Sequence, residues 1–360
     1  MADDFTSFPG KPARRTEPTI RDVARLAEVS IGTASKALNA GGRLKQETRE
    51  KVLAAARQIG YRPNDLAQSL HRTRSMTVGI ISSDSFGRFT FPIVEALEEQ
   101  LAAEGIAIFM CNATDDPERE RQHIEQLLGK RIDGLVVTSR RADERRPVGP
   151  LPPDLPVIYV YSQPQDHSAL SLVPDDEGGA RLAVRHLIGI GRRRIAHVSG
   201  PERFEAVRLR YQGYAGALRE AGFELRPGDY LSGAWSEQWG REAVASLFDG
   251  RDEVPDGLFC GNDQIARGAA DALRERGIDV PGQVAIVGFD NWTIMTEAAR
   301  PPLSSVDMNL SELGREAGRM LIAMMDKTRS GERAAGTRRL PCTLVIRQSS
   351  QAESAKVLAR

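Results

Sequence analysis

The chain has 360 residues, with 49 Lys and Arg set against 49 Asp and Glu, so it is long enough for more than one core and its net charge of zero points to no partner. Three distant cysteines, Cys111, Cys260 and Cys342, exclude a disulfide framework or a cysteine zinc site, and His71, His123, His167, His186 and His197 fall at no metal-ligand spacing. No signal peptide or membrane span is expected, and residues 1–18, rich in Pro and charged types, read as a mobile tail of a cytoplasmic protein.

Thr19 can cap a first helix whose Ile20, Val23, Ala24 and Ala27 recur at helical spacing, with Asp22 in the capping-box position. Ser30 opens a second helix after a very short turn. There Ile31, Ala34, Ala37 and Leu38 can face or border inward, leaving Gly32, Thr33, Ser35 and Lys36 outside. A third helix, about Gln46 to Ile59, carries Val52, Ala55, Ala56 and Ile59 on one stripe, so three short helices can close one small core. Such a unit serves DNA or another protein. Residues 11–74 hold fourteen Lys or Arg against six Asp or Glu, a surplus of eight that leaves the remainder at −8. A basic head on an acidic body suits a nucleic-acid reader. Pro63 stops the third helix, and Asn64 can cap a further turn through Leu70. Isolated helices shorter than about 12–15 residues are marginal in water, so this hinge is expected to order only when two copies pack together on DNA.

From Met76 the runs TVGIIS, IAIFMC, GLVVTS, PVIYVY, RIAHVS, GLFC and VAIVGF alternate with helical stretches at 91–104, 118–130, 178–190, 208–222, 237–248 and 263–277. The fold class expected is α/β, with doubly wound parallel sheets in two lobes and ligand space at the strand carboxyl ends. Those ends deliver Asp175, Arg210, Asn262, Asp263 and Asp290, of which Asp263 is expected to cap the following helix. Phe86, Phe89 and Phe91 can supply a further wall; the sequence leaves the choice open, and Phe89 is taken as the pocket residue. Ser304 to Asp307 can cross back between lobes, a helix of about Leu310 to Lys327 returns to the first, and PCTLVIRQS crosses once more as a strand. The segment after Gln348 has no leucine heptads, so a tetramerising coiled coil is not expected. Gly189 and Gly191 form a GxG that follows a helix and lacks a third glycine, and no GxSxG or P-loop string occurs. No enzyme activity, cofactor or metal is expected. A periplasmic solute-binding protein, the rival with a similar body, needs export and has no use for a basic head.

The opening TIRDVARLA, the VS before the second helix, the KALN that ends it, ETREKVLAAARQIGYRPN and DLAQSL stand in the order and spacing of a known family. From Thr19 to about Gln348 the chain resembles the lac repressor and galactose repressor family of bacterial transcription regulators. The resemblance implies a helix-turn-helix head at 19–63, a hinge at 64–75, a periplasmic-binding-protein-like body at 76–348 and a polar tail at 349–360. The first lobe would hold about 76–174 and 307–338, the second about 175–303 and 339–348. It implies base contacts by Ile31, Gly32 and Lys36; Lys36 can donate to guanine, Ile31 can touch a thymine methyl, and Gly32 has no side chain to read with. Thr19, Ser30, Thr33, Ser35 and Asn39 are expected at backbone or mixed contacts. Leu70 would wedge into the minor groove, with Ala67 letting paired hinges approach and Asn64 and Gln68 touching DNA. Effector contacts are implied for Asp175, Arg210, Asn262 and Asp290, with Trp235 covering the ligand beside Phe89. Carboxylates, a guanidinium and an indole face suit a carbohydrate, with a purine or nucleoside as the alternative. A homodimer on a pseudo-palindromic operator is expected, with repression as the output. In one departure Glu28 stands where many relatives carry glycine; it is expected to add slight backbone strain and repulsion towards DNA while the turn survives.

Overall fold

The computed structural model describes residues 18–38, 44–61, 74–85, 87–167, 169–326 and 335–351. The expectations placed on Asn39, Asn64, Ala67, Gln68, Leu70 and Phe86 lie outside the described residues. The chain divides after Ser75 into two compact units.

The head comprises α1 (Ile20–Leu26), α2 (Ile31–Leu38) and α3 (Gln46–Gln58). Asp22 Oδ2 accepts from the Thr19 N–H at 2.9 Å and from its hydroxyl at 2.7 Å, tying the first turn to the residue before it. Val23, Ala24, Ala27, Ala34, Ala37, Val52, Ala55 and Ala56 are the core. With six alanines in eight positions, the three helices approach closely and leave little room for larger side chains. Ile31, read as bordering the interior, is instead 49% exposed, because the first position of α2 precedes the turn that docks. Glu28 adopts φ 53°, the left-handed conformation glycine takes at lower cost, and the turn survives.

In the body the first lobe is built from β1 (Thr77–Ser82), α4 (Thr90–Ala103), β2 (Ala107–Asn112), α5 (Pro117–Gly129), β3 (Gly134–Thr138), β4 (Glu144–Arg145), β5 (Val157–Val160), β6 (Gln163–Pro164) and β7 (Leu170–Pro174). The second takes α6 (Asp176–Gly189), β8 (Ile195–Ser199), α7 (Glu205–Glu220), β9 (Tyr230–Ser232), α8 (Glu237–Phe248), β10 (Gly257–Cys260), α9 (Asp263–Glu275), β11 (Ala285–Phe289), the one-turn α10 (Thr293–Thr296) and β12 (Ser304–Asp307). The chain returns to the first lobe as α11 (Leu310–Met325) and β13 (Gly336–Leu340), then ends in the second as β14 (Thr343–Val345).

The first sheet has the order β13-β7-β5-β3-β1-β2 and is parallel throughout. The second has the order β14-β12-β11-β10-β8-β9 and is parallel except between β12 and β14. The reversal follows from topology. After β13 the chain stands at the carboxyl end of the first sheet and enters the second from that same side, so β14 runs back against β12. Ser304–Asp307, expected to cross between lobes, is strand β12 of the second sheet; the crossing falls one step later, at Met308 and Asn309, with Asn309 at φ 53°. Strand β2 also departs from expectation. It is an edge, and Phe109 and Met110 are 47% and 38% exposed instead of being covered by helices on both faces.

Three helix pairs pack at glycine contacts. A Cβ on Gly314 of α11 would strike the Ile93 carbonyl of α4, one on Gly213 of α7 the Glu177 carbonyl of α6, and one on Gly268 of α9 the Glu237 carbonyl of α8. Replacing Gly268 with Ala is expected to force α8 and α9 apart and lower stability by about 1–3 kcal/mol, the usual cost of overpacking, which thermal or urea denaturation would measure.

Candidate DNA-reading head and inter-lobe cleft

On α2 the face opposite Ala34 and Ala37 presents Ile31, Gly32 and Lys36, all exposed, with Thr33 and Ser35 half-buried beside them. Ser30 Oγ accepts from the Thr33 N–H at 3.1 Å and lies 2.9 Å from the Thr33 hydroxyl, so Ser30 caps the helix it was expected to open. Arg49 of α3 donates to the Ala37 carbonyl at 3.3 Å, satisfying the other end. Lys51 sits 2.8 Å from the Glu28 carboxylate and holds its pKa below the ordinary value. The acidic charge in the turn is therefore paired within the head, which reduces the repulsion expected of it.

The body's candidate site is a set of charges at the strand carboxyl ends. Arg210 on α7 is 3% exposed; its Nε donates to Asp176 at 2.7 Å and its Nη1 to the Gly261 carbonyl at 2.5 Å. The guanidinium carbon lies 3.6 Å from the Phe289 ring centroid and 6.0 Å from that of Trp235. Burial raises the Asp176 carboxyl above its ordinary pKa, against the opposing pull of Arg210. Asp290, at φ 98°, follows β11, and its Oδ1 stands 3.6 Å from Arg210 Nη2. Its Oδ2 accepts from Arg88 Nη2 at 2.5 Å. Arg88 precedes α4 in the first lobe, so this pair bridges the cleft. The Arg88 guanidinium lies 4.8 Å from the Phe89 ring and 4.2 Å from the Trp292 ring. Arg88, Phe89, Asp290, Trp292, Asp307 and Arg315 are among the residues lining an inter-lobe cavity of about 370 Å³, within the usual range for small-molecule sites.

The sequence-predicted residues divide. Phe89 and Asp290 line the cavity, and Phe89 packs on Tyr161 with ring centroids 5.1 Å apart and planes tilted by 31°, whereas Phe91 is 62% exposed. Arg210 lies beneath the cavity, fully engaged. Trp235 is half-buried, with its indole against Gly200 and Gly261 where a Cβ would collide. Asp175 and Asn262 close helix N-termini: Asp175 Oδ1 accepts from Gly178 N–H at 3.0 Å, and Asn262 Oδ1 from Ile265 N–H at 2.9 Å. Asp263, expected to be a cap, is not one. It is already helical and points into the sheet, where it accepts from Trp292 N–H at 2.6 Å and from the Ser305 hydroxyl at 2.5 Å. Gly288 leaves the space for it. The residues missed were Arg88, Asp176, Trp292 and Asp307. Arg88 stands beside Phe89 in the loop between β1 and α4, so the reading that drew Phe89 from that loop passed over its neighbour.

A second hollow of about 470 Å³ lies wholly in the first lobe, among Arg121, Arg140, Arg141, Arg145 and Arg146 and a matching number of carboxylates. Much of its charge is internally paired, as in Arg145 with Glu120 at 2.6 Å. Among the described residues no group of three or more His, Cys, Asp or Glu is placed to hold a metal ion, and no helix is long and apolar enough to cross a membrane.

A three-helix head with one exposed polar helix face, followed by a two-lobed body with a charged cleft, defines a ligand-responsive DNA-binding regulator. Residues 19–64 match the model for bacterial regulatory proteins of the lacI family, and residues 184–350 match the periplasmic binding protein-like domain. The HTH-type transcriptional repressor PurR of Haemophilus influenzae (strain PittEE) is 32% identical over 334 residues, covering 92% of this chain and 98% of its own length. The lac repressor dimer bound to operator and the anti-inducer ONPF aligns with a TM-score of 0.73 at 25% identity, over 94% of this chain and 100% of that one. The CelR–cellobiose complex aligns at 0.62 and 30% identity, over 92% and 99%. The chain belongs to the lacI family of bacterial regulatory proteins. It is a DNA-binding transcription regulator with an effector-binding body, and not an enzyme.

Burial, reinforced by the Asp290 charge, pushes the Asp263 carboxyl up to about 8. The unfolded chain releases that proton near pH 3.9, so the native state holds it where the unfolded state does not, and this contribution to stability is lost as pH rises from about 4 to about 8. Asp263→Asn keeps the shape without the charge. The melting temperature of the variant minus that of the parent is expected to climb between pH 5 and 8 and then level off; pH-independent differences would contradict the assignment.

Proposed function

We propose that the protein is a cytoplasmic homodimeric repressor whose affinity for a pseudo-palindromic operator is set by a carbohydrate or carbohydrate derivative held between the lobes. The observation that carries this reading is the Arg88–Asp290 bridge, a charge pair joining the lobes inside the cavity a ligand would enter. Anything that binds there competes with or completes the bridge, so occupancy and lobe geometry share one equilibrium. Couplings of this kind are typically ~1–3 kcal/mol.

On the DNA side Lys36 reads a guanine edge and Ile31 an apolar one, while Gly32 reads nothing with a side chain. Thr19, Ser30, Thr33, Ser35 and Asn39 take backbone or mixed contacts, and the hinge residues Asn64, Ala67, Gln68 and Leu70 take the minor groove, roles that rest on the family resemblance. A second copy would cover the exposed apolar edge at Phe109 and Met110. On the effector side Phe89 and Trp292 offer ring faces and Asp290 accepts hydroxyls, while the effector roles of Arg210, Asp175, Asn262 and Trp235 rest on the family resemblance. The same ring faces favour a purine or nucleoside as the second reading.

Selection of random duplexes on the purified protein is expected to return a near-palindrome, and Lys36→Ala is expected to relax the preferred base at one position per half-site, at a cost of about 1–3 kcal/mol in specific binding. An unenriched pool would sink the operator reading. A melting-temperature screen with sugars, purines and nucleosides finds the effector class, since a ligand of the native state raises the midpoint. Asp290→Asn is expected to reduce that ligand-induced rise by most of its size while the unliganded protein still binds operator DNA.

A further inference from the structure

We infer that Arg88 selects the effector and that the effector is an anionic sugar derivative, a sugar acid or a sugar phosphate, whose acidic group pairs with Arg88 while a hydroxyl pairs with Asp290. This rests on the reading of the inter-lobe cavity as the effector site.

Asp290 is the acceptor a hydroxylated ligand would use, and Arg88 already holds it at 2.5 Å. The side chains of the pair are 17% and 6% exposed. A ligand that reaches Asp290 therefore parts a largely buried ion pair, and a guanidinium left without a counter-charge there is strongly unfavourable. Arg88 is poorly placed to recover by moving out to water, because its guanidinium lies against the rings of Phe89 and Trp292.

The other charges around the cavity already have partners. Arg315 is 2.8 Å from Glu312. Asp307 accepts from Asn291 Nδ2 at 2.9 Å and from Asn309 N–H at 2.7 Å. Arg210 is held by Asp176 and the Gly261 carbonyl, yet its Nη2 remains 3.6 Å from Asp290 and so continues to offset that carboxylate when Arg88 lets go. The exchange thus frees one cation and no anion. A carboxylate or phosphate is the group that restores the balance, and a planar guanidinium presents it with a bidentate fork.

The test compares glucose, glucuronate and glucose 6-phosphate on the full-length protein by calorimetry and melting temperature, with adenine and adenosine as further probes. At least one anionic sugar is expected to bind tenfold or more tightly than glucose, and which one distinguishes a carboxylate site from a phosphate site. The preference should weaken as salt is raised. In Arg88→Gln the anionic-to-neutral affinity ratio is expected to fall at least tenfold. Arg88→Lys keeps the charge and should retain part of the preference, which keeps the comparison open if the Gln variant folds poorly. Equal binding of neutral and anionic sugars by the parent, or an unchanged ratio in Arg88→Gln, would overturn the inference. Binding of glucose or of adenosine alone, abolished by Asp290→Asn, would overturn it and leave the cleft as the effector site. If no probe binds, both fall.

Discussion

A guanidinium 3% exposed has no water to fall back on, and the body is arranged around that fact at Arg210. Removing such a charge from solvent costs several kcal/mol unless each donor finds an acceptor. The acceptors come from separate places in the chain: Asp176 at the start of α6, the Gly261 carbonyl after β10, and the more distant Asp290 after β11. Phe289 supplies a ring face. Three strand ends are thereby held in register at one point, and Asp290 extends the network into the first lobe through Arg88. The cleft is a place where two half-proteins share their buried charges, and a ligand enters by renegotiating that sharing.

Packing sets where those strand ends stand. The helix pairs that cover the sheets meet at Gly213, Gly268 and Gly314, where the absent side chain lets one helix rest on the carbonyls of another. Close approach of that kind is intolerant of expansion, since interiors are packed to crystal-like density. The chain crosses between the lobes at Asn309, in a left-handed conformation, and at Met308, whose sulfur lies 3.9 Å from both Tyr161 and Arg210. The head's core is mostly alanine, and the Lys51–Glu28 and Arg49–Ala37 contacts tie α3 to the turn and to α2.

Much of this was legible in the residues. The head showed because amphipathic spacing, a Ser cap and a basic surplus coincide. Six of the seven strand runs showed because parallel strands buried on both faces are continuously apolar; the seventh, β2, is apolar although its edge position leaves it largely uncovered. What escaped had a weaker signal or none: in β7, buried throughout, Ser171 and Pro174 interrupt the apolar run. Strands β9 and β13 are edges with mixed or polar residues, and periodicity does not mark them. At the β7–α6 junction the family pattern pointed to Asp175, yet the next residue, Asp176, reaches Arg210; neighbouring carboxylates look alike until the first helical turn directs one back to its own N–H groups and the other inward. Asn262 and Asp263 repeat the same ambiguity.

By itself the sequence determined the class of protein: a basic three-helix reader, then two α/β lobes whose carboxyl ends carry acids and an arginine. Those features depend on local spacing and composition, which the order of residues contains. Only the tertiary structure decided which charges meet. Arg88 and Asp290 are some two hundred positions apart, and their pairing at 2.5 Å depends on three chain crossings that fold one lobe over the other. Long-range electrostatic pairing is decided by where rigid elements end in space, and no local pattern records that.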